Sequence, residues 1–406
     1  MNNSTLRQVY DILLKVYKDN AYLNLLMKEN SNPRVAKIVY GVIEKHYELN
    51  YIIDKLVVKN PKLNIRIVLM MASYCVIYLD TPYNVVLNEI TELAESIGKS
   101  ALKQFFAAII KKVSDKDYTL PKKSESAYME VKYNLPNFLI GLYRKDYPEN
   151  FDEIINAAHF DRVHIRARCD KNTILMADPT AIATLTGYFV KNTKEISMLC
   201  FMGQATYMSY SSSLVAYSIP VKDGDNLLDV CAAPGGKSVY LSERGAKVTA
   251  CDIHKHRVDL ITDYARRMNT KLYKIYEKDA TVYFDGWEKR FDIVLADAPC
   301  SGLGVKDSRK DVIFNRTYED ILELASLQLK ILNNVKNYVK KGGLLVYSTC
   351  TIFSLENGKN IDKFLQENKD FVLEKIDLPY ENEGAIQFLP DGKGMEGFYI
   401  CHMRRL

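Results

Sequence analysis

No apolar run in this 406-residue chain reaches the roughly 18 residues that a membrane span needs. The opening stretch MNNSTLRQVYDILLKVY is amphipathic and carries no signal-peptide cleavage site, so the expected location is the cytosol. Eight cysteines are scattered singly with no CxxC pair, which argues against a zinc ribbon or a disulfide framework, and no metal site is expected. There is no GxGxxG loop to lie against a pyrophosphate. A complete phosphate-binding P-loop is also missing. The segment DVCAAPGGKS ends in Gly236, Lys237 and Ser238, but Cys231 stands where that loop needs its first glycine. Internal repeats and low-complexity tracts are absent, so neither a solenoid nor a disordered chain is indicated.

What is present is the composition of an ordinary globular protein, 48% hydrophobic and 26% charged, and its length suits two or three domains of roughly 100–200 residues. The net charge of +5 is unevenly spread. Residues 1–125 hold 18 Lys and Arg against 13 Asp and Glu and so carry all of it. Lys99, Lys103, Lys111, Lys112, Lys116, Lys122 and Lys123 crowd the end of that segment. Such a cluster suits a phosphate backbone and equally suits a solvated face.

Apolar residues at three-to-four spacing predict helices over residues 5–17, 34–58, 65–79, 83–97 and 100–113, punctuated at Pro33, Pro61 and Pro82. The polar, lysine-rich stretch 114–130 predicts a linker. Residues 126–200 then predict a linker and small α+β subdomain. Within it, DRVHIRARC reads as a strand with His164, Arg166 and Arg168 on one face, which could touch RNA or solvent. Beyond residue 200, the strand candidates NLLDV, AKVTACDI, KLYKIYEKD, FDIVLADAP and GGLLVYST alternate with amphipathic helical segments. That alternation predicts a parallel sheet in an α/β layer structure. FVLEKIDL and GFYICHMRR are expected as added edge strands.

In such a sheet, ligands collect at the carboxyl ends of the strands. Asp229, Asp252, Asp279 and Asp297 end successive strands beside the Gly235-Gly236 turn. An acid about 20 residues beyond a glycine loop suits a ribose hydroxyl pair, which is the role expected of Asp252. A ribose-bearing cofactor without phosphates fits these features, and S-adenosylmethionine is the common one.

Cys300 follows Asp297-Ala298-Pro299 at one strand end, and Cys350 follows LLVYST at the next. A lone cysteine is usually a small buried hydrophobe. Two in polar turns beside a methyl donor suggest chemistry. A thiolate adding to carbon 6 of a pyrimidine makes carbon 5 nucleophilic enough to take a methyl group, and Asp297 is placed to hydrogen-bond the base at nitrogen 3.

The motifs DVCAAPGGKS, DAPCSGLGV and YSTCTIFSLEN resemble those of the RsmB/Sun family of RNA 5-methylcytosine methyltransferases over roughly residues 200–405. The N-terminal helices are similar to the NusB-like RNA-binding domain that precedes the catalytic part in RsmB. The resemblance implies a multidomain chain: an all-α NusB-like bundle (1–125), then a linker and small subdomain (126–200), then an α/β Rossmann-like class I methyltransferase domain (201–406). It also implies S-adenosylmethionine as cofactor, held by Cys231, Ala232, Ala233, Pro234, Gly235, Gly236, Lys237, Asp252, Asp279 and Asp297.

The same resemblance makes Cys350 the nucleophile and Cys300 the residue that helps free the product. Spacing alone leaves the order of the two thiols open, because enzymes that methylate cytosine in DNA use a proline-cysteine nucleophile. The sequence departs from the family pattern at Ser209-Tyr210, at Lys306–Lys310 and at Ala107. The expected substrate is small-subunit (16S) ribosomal RNA, the expected state a monomer, and neither DNA nor membrane is expected as a partner. The same chemistry on transfer RNA and a non-catalytic ribosome-assembly factor remain as alternatives.

Overall fold

The computed structural model describes residues 4–406 other than 29, 31, 158, 159 and 315. The chain forms two compact units, residues 1–149 with 306–316, and residues 150–305 with 317–406.

The first unit is helical, with no strand among its described residues. Its centre is the helix Leu63–Tyr78, in which the nine consecutive residues Ile67–Cys75 are all buried. A helix apolar on every side can only sit inside a bundle. The helices Thr5–Asp19, Pro33–Glu44, Tyr83–Ser96 and Lys103–Ser114 surround it with amphipathic faces. Asn32 caps the helix that begins at Pro33, where the missing proline N–H costs nothing. The single helix expected over 34–58 is two, Pro33–Glu44 and His46–Leu56, parted at Lys45. The stretch 114–130, expected as a linker, lies inside this unit.

Segment 306–316 also belongs to the helical unit, although it follows the proline-cysteine motif in sequence. Phe314 packs against His46, Tyr17 and Tyr47, with ring centroids 4.5, 5.7 and 6.4 Å away. Lys310 pairs with Glu44, and Asn24 donates to the Ser308 carbonyl.

The second unit contains two sheets. The smaller has β1 (Val163–Ala167), β2 (Ile182–Ala183), β3 (Tyr188–Val190) and β4 (Ala205–Tyr207), in antiparallel order β2-β3-β1-β4. The basic face read in β1 is not a surface. His164 and Arg166 are buried; His164 contacts the Met208 carbonyl and Thr184, while Arg166 pairs with Glu243 and lies over the Tyr240 ring. A counter-charge and an aromatic face from a helix far along the chain let this strand be buried on both sides. Of the departures from the family pattern, Ser209 caps the helix Tyr210–Ser218, and the Tyr210 ring packs on His164 and Phe189.

The larger sheet runs β10-β12-β9-β8-β5-β6-β7, from strands β5 (Asn226–Asp229), β6 (Lys247–Asp252), β7 (Lys274–Glu277), β8 (Phe291–Asp297), β9 (Val339–Thr349), β10 (Phe371–Leu373) and β12 (Phe398–Arg405), with β11 (Ala385–Phe388) paired to β12. Strands β5 to β9 pair in parallel, and β12 joins β9 antiparallel. The run GFYICHMRR is therefore an interior strand and not an edge. It carries six buried residues in succession, as an interior strand must. From β5 the chain winds outward to β7, then returns to place β8 on the other side of β5. This reversal opens a crevice at the carboxyl ends of β5 and β8. Among the described residues, no helix is long and apolar enough to cross a membrane.

Candidate active site

The segment after β5 leaves the strand at Asp229, turns through Gly235 at φ 110°, a conformation that favours glycine, and enters the helix Gly236–Glu243. A Cβ on Gly235 would also crowd the Ile261 backbone at 3.3 Å. The turn is tied to its neighbour by the Ala232 N–H, which donates to the Cys251 carbonyl on β6.

Two carboxylates at this end of the sheet are buried and incompletely satisfied. Asp229 Oδ2 accepts from Ser238 Oγ at 2.6 Å, and Asp252 Oδ2 accepts from the Ala233 N–H at 3.3 Å and lies 3.4 Å from Arg257. Oδ1 of each has no partner among the described residues. Buried acceptors left unpaired are costly unless a ligand brings donors. A ligand carrying hydroxyl groups and an ammonium, as S-adenosylmethionine does, suits both. Asp279 instead turns its own loop, with Oδ1 accepting from the Thr281 N–H and hydroxyl, both at 2.7 Å.

Burial pushes the Asp229 carboxyl up to about 7, against the smaller lowering effect of the Ser238 hydrogen bond. Its folded value exceeds its unfolded one, so its contribution to stability is whole below about pH 4 and is lost as pH rises through about 7. Asp229→Asn without cofactor should therefore melt above the wild type at pH 8. That gap should narrow as the pH is lowered to 5, and a gap that does not change with pH would refute the assignment.

Asp297, at the end of β8, accepts from Lys237 Nζ at 2.6 Å on one oxygen and from Ser348 Oγ at 2.7 Å on the other. Lys237 stands in the first turn of the helix after the glycine turn, so the pair links that turn to β8. Beyond Asp297, Cys300 and Cys350 converge from adjacent strand ends with their sulfurs 3.2 Å apart, and the Cys350 N–H points to Cys300 Sγ at 3.3 Å. The Cys300 thiol is pushed well up by its hydrogen bond with Cys350 and by burial. Burial, with Cys251 and nearby carboxylates, also pushes the Cys231 thiol well up. Gly304 has no room for a side chain, since a Cβ there would lie 2.1 Å from the Gly397 carbonyl and 2.9 Å from that of Cys350.

The twelve residues expected to hold the cofactor or take part in catalysis thus lie on consecutive turns at one end of one sheet. Sequence reasoning missed the polar frame beneath the thiols. Glu356 is fully buried; it accepts from the Ser301 N–H at 2.8 Å and from Gln328 Nε2 at 3.0 Å, and lies 2.6 Å from Ser301 Oγ. Asn357 accepts from Thr349 Oγ1 and donates to the Thr351 carbonyl. The signal was an acid-amide pair shortly after Cys350 in YSTCTIFSLEN.

Residues 216–404 match the family described as 16S rRNA methyltransferase RsmB/F, and residues 3–115 match the NusB family. The α/β part of the chain thus matches the RsmB/F family, and its helical part the NusB family. It is 29% identical over the whole of both chains to the probable ribosomal RNA small subunit methyltransferase B of Bacillus subtilis (strain 168). It is 27% identical to ribosomal RNA small subunit methyltransferase B of Escherichia fergusonii, over 91% of this chain and 89% of that one. Among solved structures, that of PH0851 has the same fold, with a TM-score of 0.87 and 23% identity over 100% of this chain and 99% of that one. NSun6 from Pyrococcus horikoshii, solved with SFG, shares the fold at a TM-score of 0.58 and 19% identity, over 66% of this chain and 98% of its own. The chain is thus an S-adenosylmethionine-dependent methyltransferase, a NusB helical domain followed by an α/β domain with a mostly parallel sheet, as its motifs implied.

Proposed function

We propose that this protein methylates carbon 5 of a cytidine in small-subunit ribosomal RNA through a covalent adduct on Cys350. The observation that carries this reading is the pair of sulfurs 3.2 Å apart at adjacent strand ends, beside a carboxylate held by Lys237 and Ser348. One such thiol suffices for adding to a base, and a second is of use where the adduct must be broken again.

Cytosine carbon 5 is too poor a nucleophile to take a methyl group unaided. Cys350 as thiolate adds to carbon 6, while Asp297, carrying a proton, donates it to nitrogen 3 and accepts from the exocyclic amine, so that the charge of addition is taken up and electron density moves to carbon 5. S-adenosylmethionine supplies an electrophilic methyl group when bound. Asp252 would hold its ribose, and the Cys231–Lys237 turn would enclose it. Once carbon 5 carries the methyl group, its proton is lost, the carbon 5–carbon 6 double bond reforms and the carbon–sulfur bond breaks. Cys300 then eases departure of the Cys350 sulfur by hydrogen-bonding to it. The cytidine must be unpaired or flipped to reach these groups.

The names of the relatives support ribosomal RNA as substrate. In the helical unit, Lys112, Lys116, Lys122 and Lys123 are exposed and suit phosphate contacts. The test is transfer of labelled methyl from S-adenosylmethionine to small-subunit ribosomal RNA, followed by nucleoside digestion. Label in 5-methylcytidine is the expected result; label in any other nucleoside, or none in RNA or in small-subunit particles, rejects the reading.

A further inference from the structure

The buried carboxylate of Glu356 has no part in the mechanism above, yet it lies at the junction of both cysteine turns. One oxygen takes the N–H of Ser301, the residue next to Cys300, and the amide of Gln328, which also donates to the Pro299 carbonyl at 3.0 Å. The other oxygen lies 2.6 Å from Ser301 Oγ, which is itself 3.0 Å from Thr351 Oγ1, next to Cys350. Ser301 has one hydroxyl proton. With its O–H donating to the carboxylate, Ser301 accepts from Thr351, and the chain of bonds runs Cys350 turn, Ser301, Glu356, helix Tyr318–Val335. The two turns are thereby fixed against each other through a single acid.

We propose that Glu356 is a positioning residue that clamps the Cys300 and Cys350 turns together and, by its negative charge, keeps the proton of the thiol pair on Cys300. The inference deepens the functional reading above and rests on it for its catalytic meaning. Three donors on a fully buried carboxylate suit the ionised form, which offers acceptors only. Burial raises the Glu356 carboxyl, and the hydrogen bonds of Ser301, Gln328 and Thr351 oppose that rise. The titratable groups facing Cys300 are Cys350, Glu356 and Tyr347, and none of them brings a positive charge that would favour a thiolate there.

The consequence is a division of labour between two chemically identical side chains. Cys300 remains a thiol and hydrogen-bond donor, 3.2 Å from a Cys350 sulfur free to be the thiolate. When the carbon 6–sulfur bond breaks, its electron pair returns to Cys350, the carbon 5 proton passes to solvent water, and the Cys300 S–H stabilises the new thiolate without giving up its proton.

The decisive experiment needs no RNA. In a Cys350→Ala background, iodoacetamide labelling of Cys300 is followed by peptide mass spectrometry as a function of pH. The expected midpoint lies above the ordinary thiol value of 9.0. Adding Glu356→Gln, which keeps the shape of the side chain, should accelerate labelling at pH 7.5 about tenfold, the gain in thiolate fraction for a fall of about one pKa unit. Glu356→Asp should restore slow labelling. A midpoint at or below 9.0 in the single variant overturns the proposal without relying on the Gln variant folding. So does an unchanged rate in a Gln variant with an unaltered melting temperature.

In the enzyme with both cysteines, Glu356→Gln should form the covalent RNA adduct but release it about tenfold more slowly. Labelling that behaves as expected in a protein that methylates no cytidine would sink the functional reading and leave the charge assignment intact. Aberrant labelling in an active enzyme would do the reverse.

Discussion

Cys350→Ala will abolish methyl transfer, by at least about 10⁴-fold, while leaving S-adenosylmethionine affinity close to that of the wild type. Removing a nucleophile removes the covalent route itself, and no other thiol substitutes for it: the Cys300 sulfur starts 3.2 Å away, and burial and Glu356 still push its thiol up when Cys350 is gone. Cys300→Ala has a different signature. Addition and methylation proceed, elimination stalls, and an enzyme–RNA complex that survives denaturing electrophoresis accumulates to near one per enzyme. The double variant forms no complex, which shows that the bond in the Cys300 variant is made by Cys350. The opposite pattern, an active Cys350→Ala enzyme and a dead Cys300→Ala enzyme without adduct, would reverse the roles and align the protein with enzymes whose nucleophile follows proline. These two substitutions are small, and both cysteines are only partly exposed turn residues, so equal melting temperatures are expected of both variants.

The order of elements in the α/β unit was legible because each parallel strand is a short apolar run ending in an acid or polar turn, as β5, β6 and β8 do at Asp229, Asp252 and Asp297. The helices of the first unit were legible for the same local reason, a three-to-four spacing of apolar residues. What escaped were features fixed by partners distant in sequence. The β1 side chains His164 and Arg166 read as a wet basic face, since nothing nearby reveals Glu243 and Tyr240 waiting to receive Arg166. Segment 306–316 read as a loop of the catalytic domain, whereas Phe314 belongs to an aromatic cluster with Tyr17 and His46 nearly 300 residues earlier.

At the site, the residues proposed to touch cofactor or base were visible as motifs. The frame that holds them was not: Glu356 and Gln328 have meaning only once two turns and a helix are brought together. The polar departure Ser209-Tyr210 turned out to have a local purpose, a helix cap and a ring packed into the small sheet.

Asp252→Ala will weaken S-adenosylmethionine binding at least about 100-fold by calorimetry, while methyl transfer at saturating cofactor falls less than tenfold. The reasoning starts from an imbalance in the protein alone. Asp252 is buried, one of its oxygens accepts only a 3.3 Å backbone hydrogen bond besides a 3.4 Å contact with Arg257, and the other has no partner among the described residues. A ribose brings two hydroxyl donors, and hydrogen bonds to a charged group contribute about 1.5–3 kcal/mol each. Two of them lost correspond to about 10²–10⁴ in affinity. Because the ribose is remote from the reacting methyl group, its contacts are the same before and during transfer, so their loss raises KM and leaves kcat nearly untouched. Alanine removes a buried carboxylate with one unpartnered oxygen but also breaks its pairing with Arg257, so the cofactor-free variant should melt close to wild type. A variant that binds the cofactor normally would remove Asp252 from the ribose, and one that binds normally yet loses turnover would move it to the chemical step.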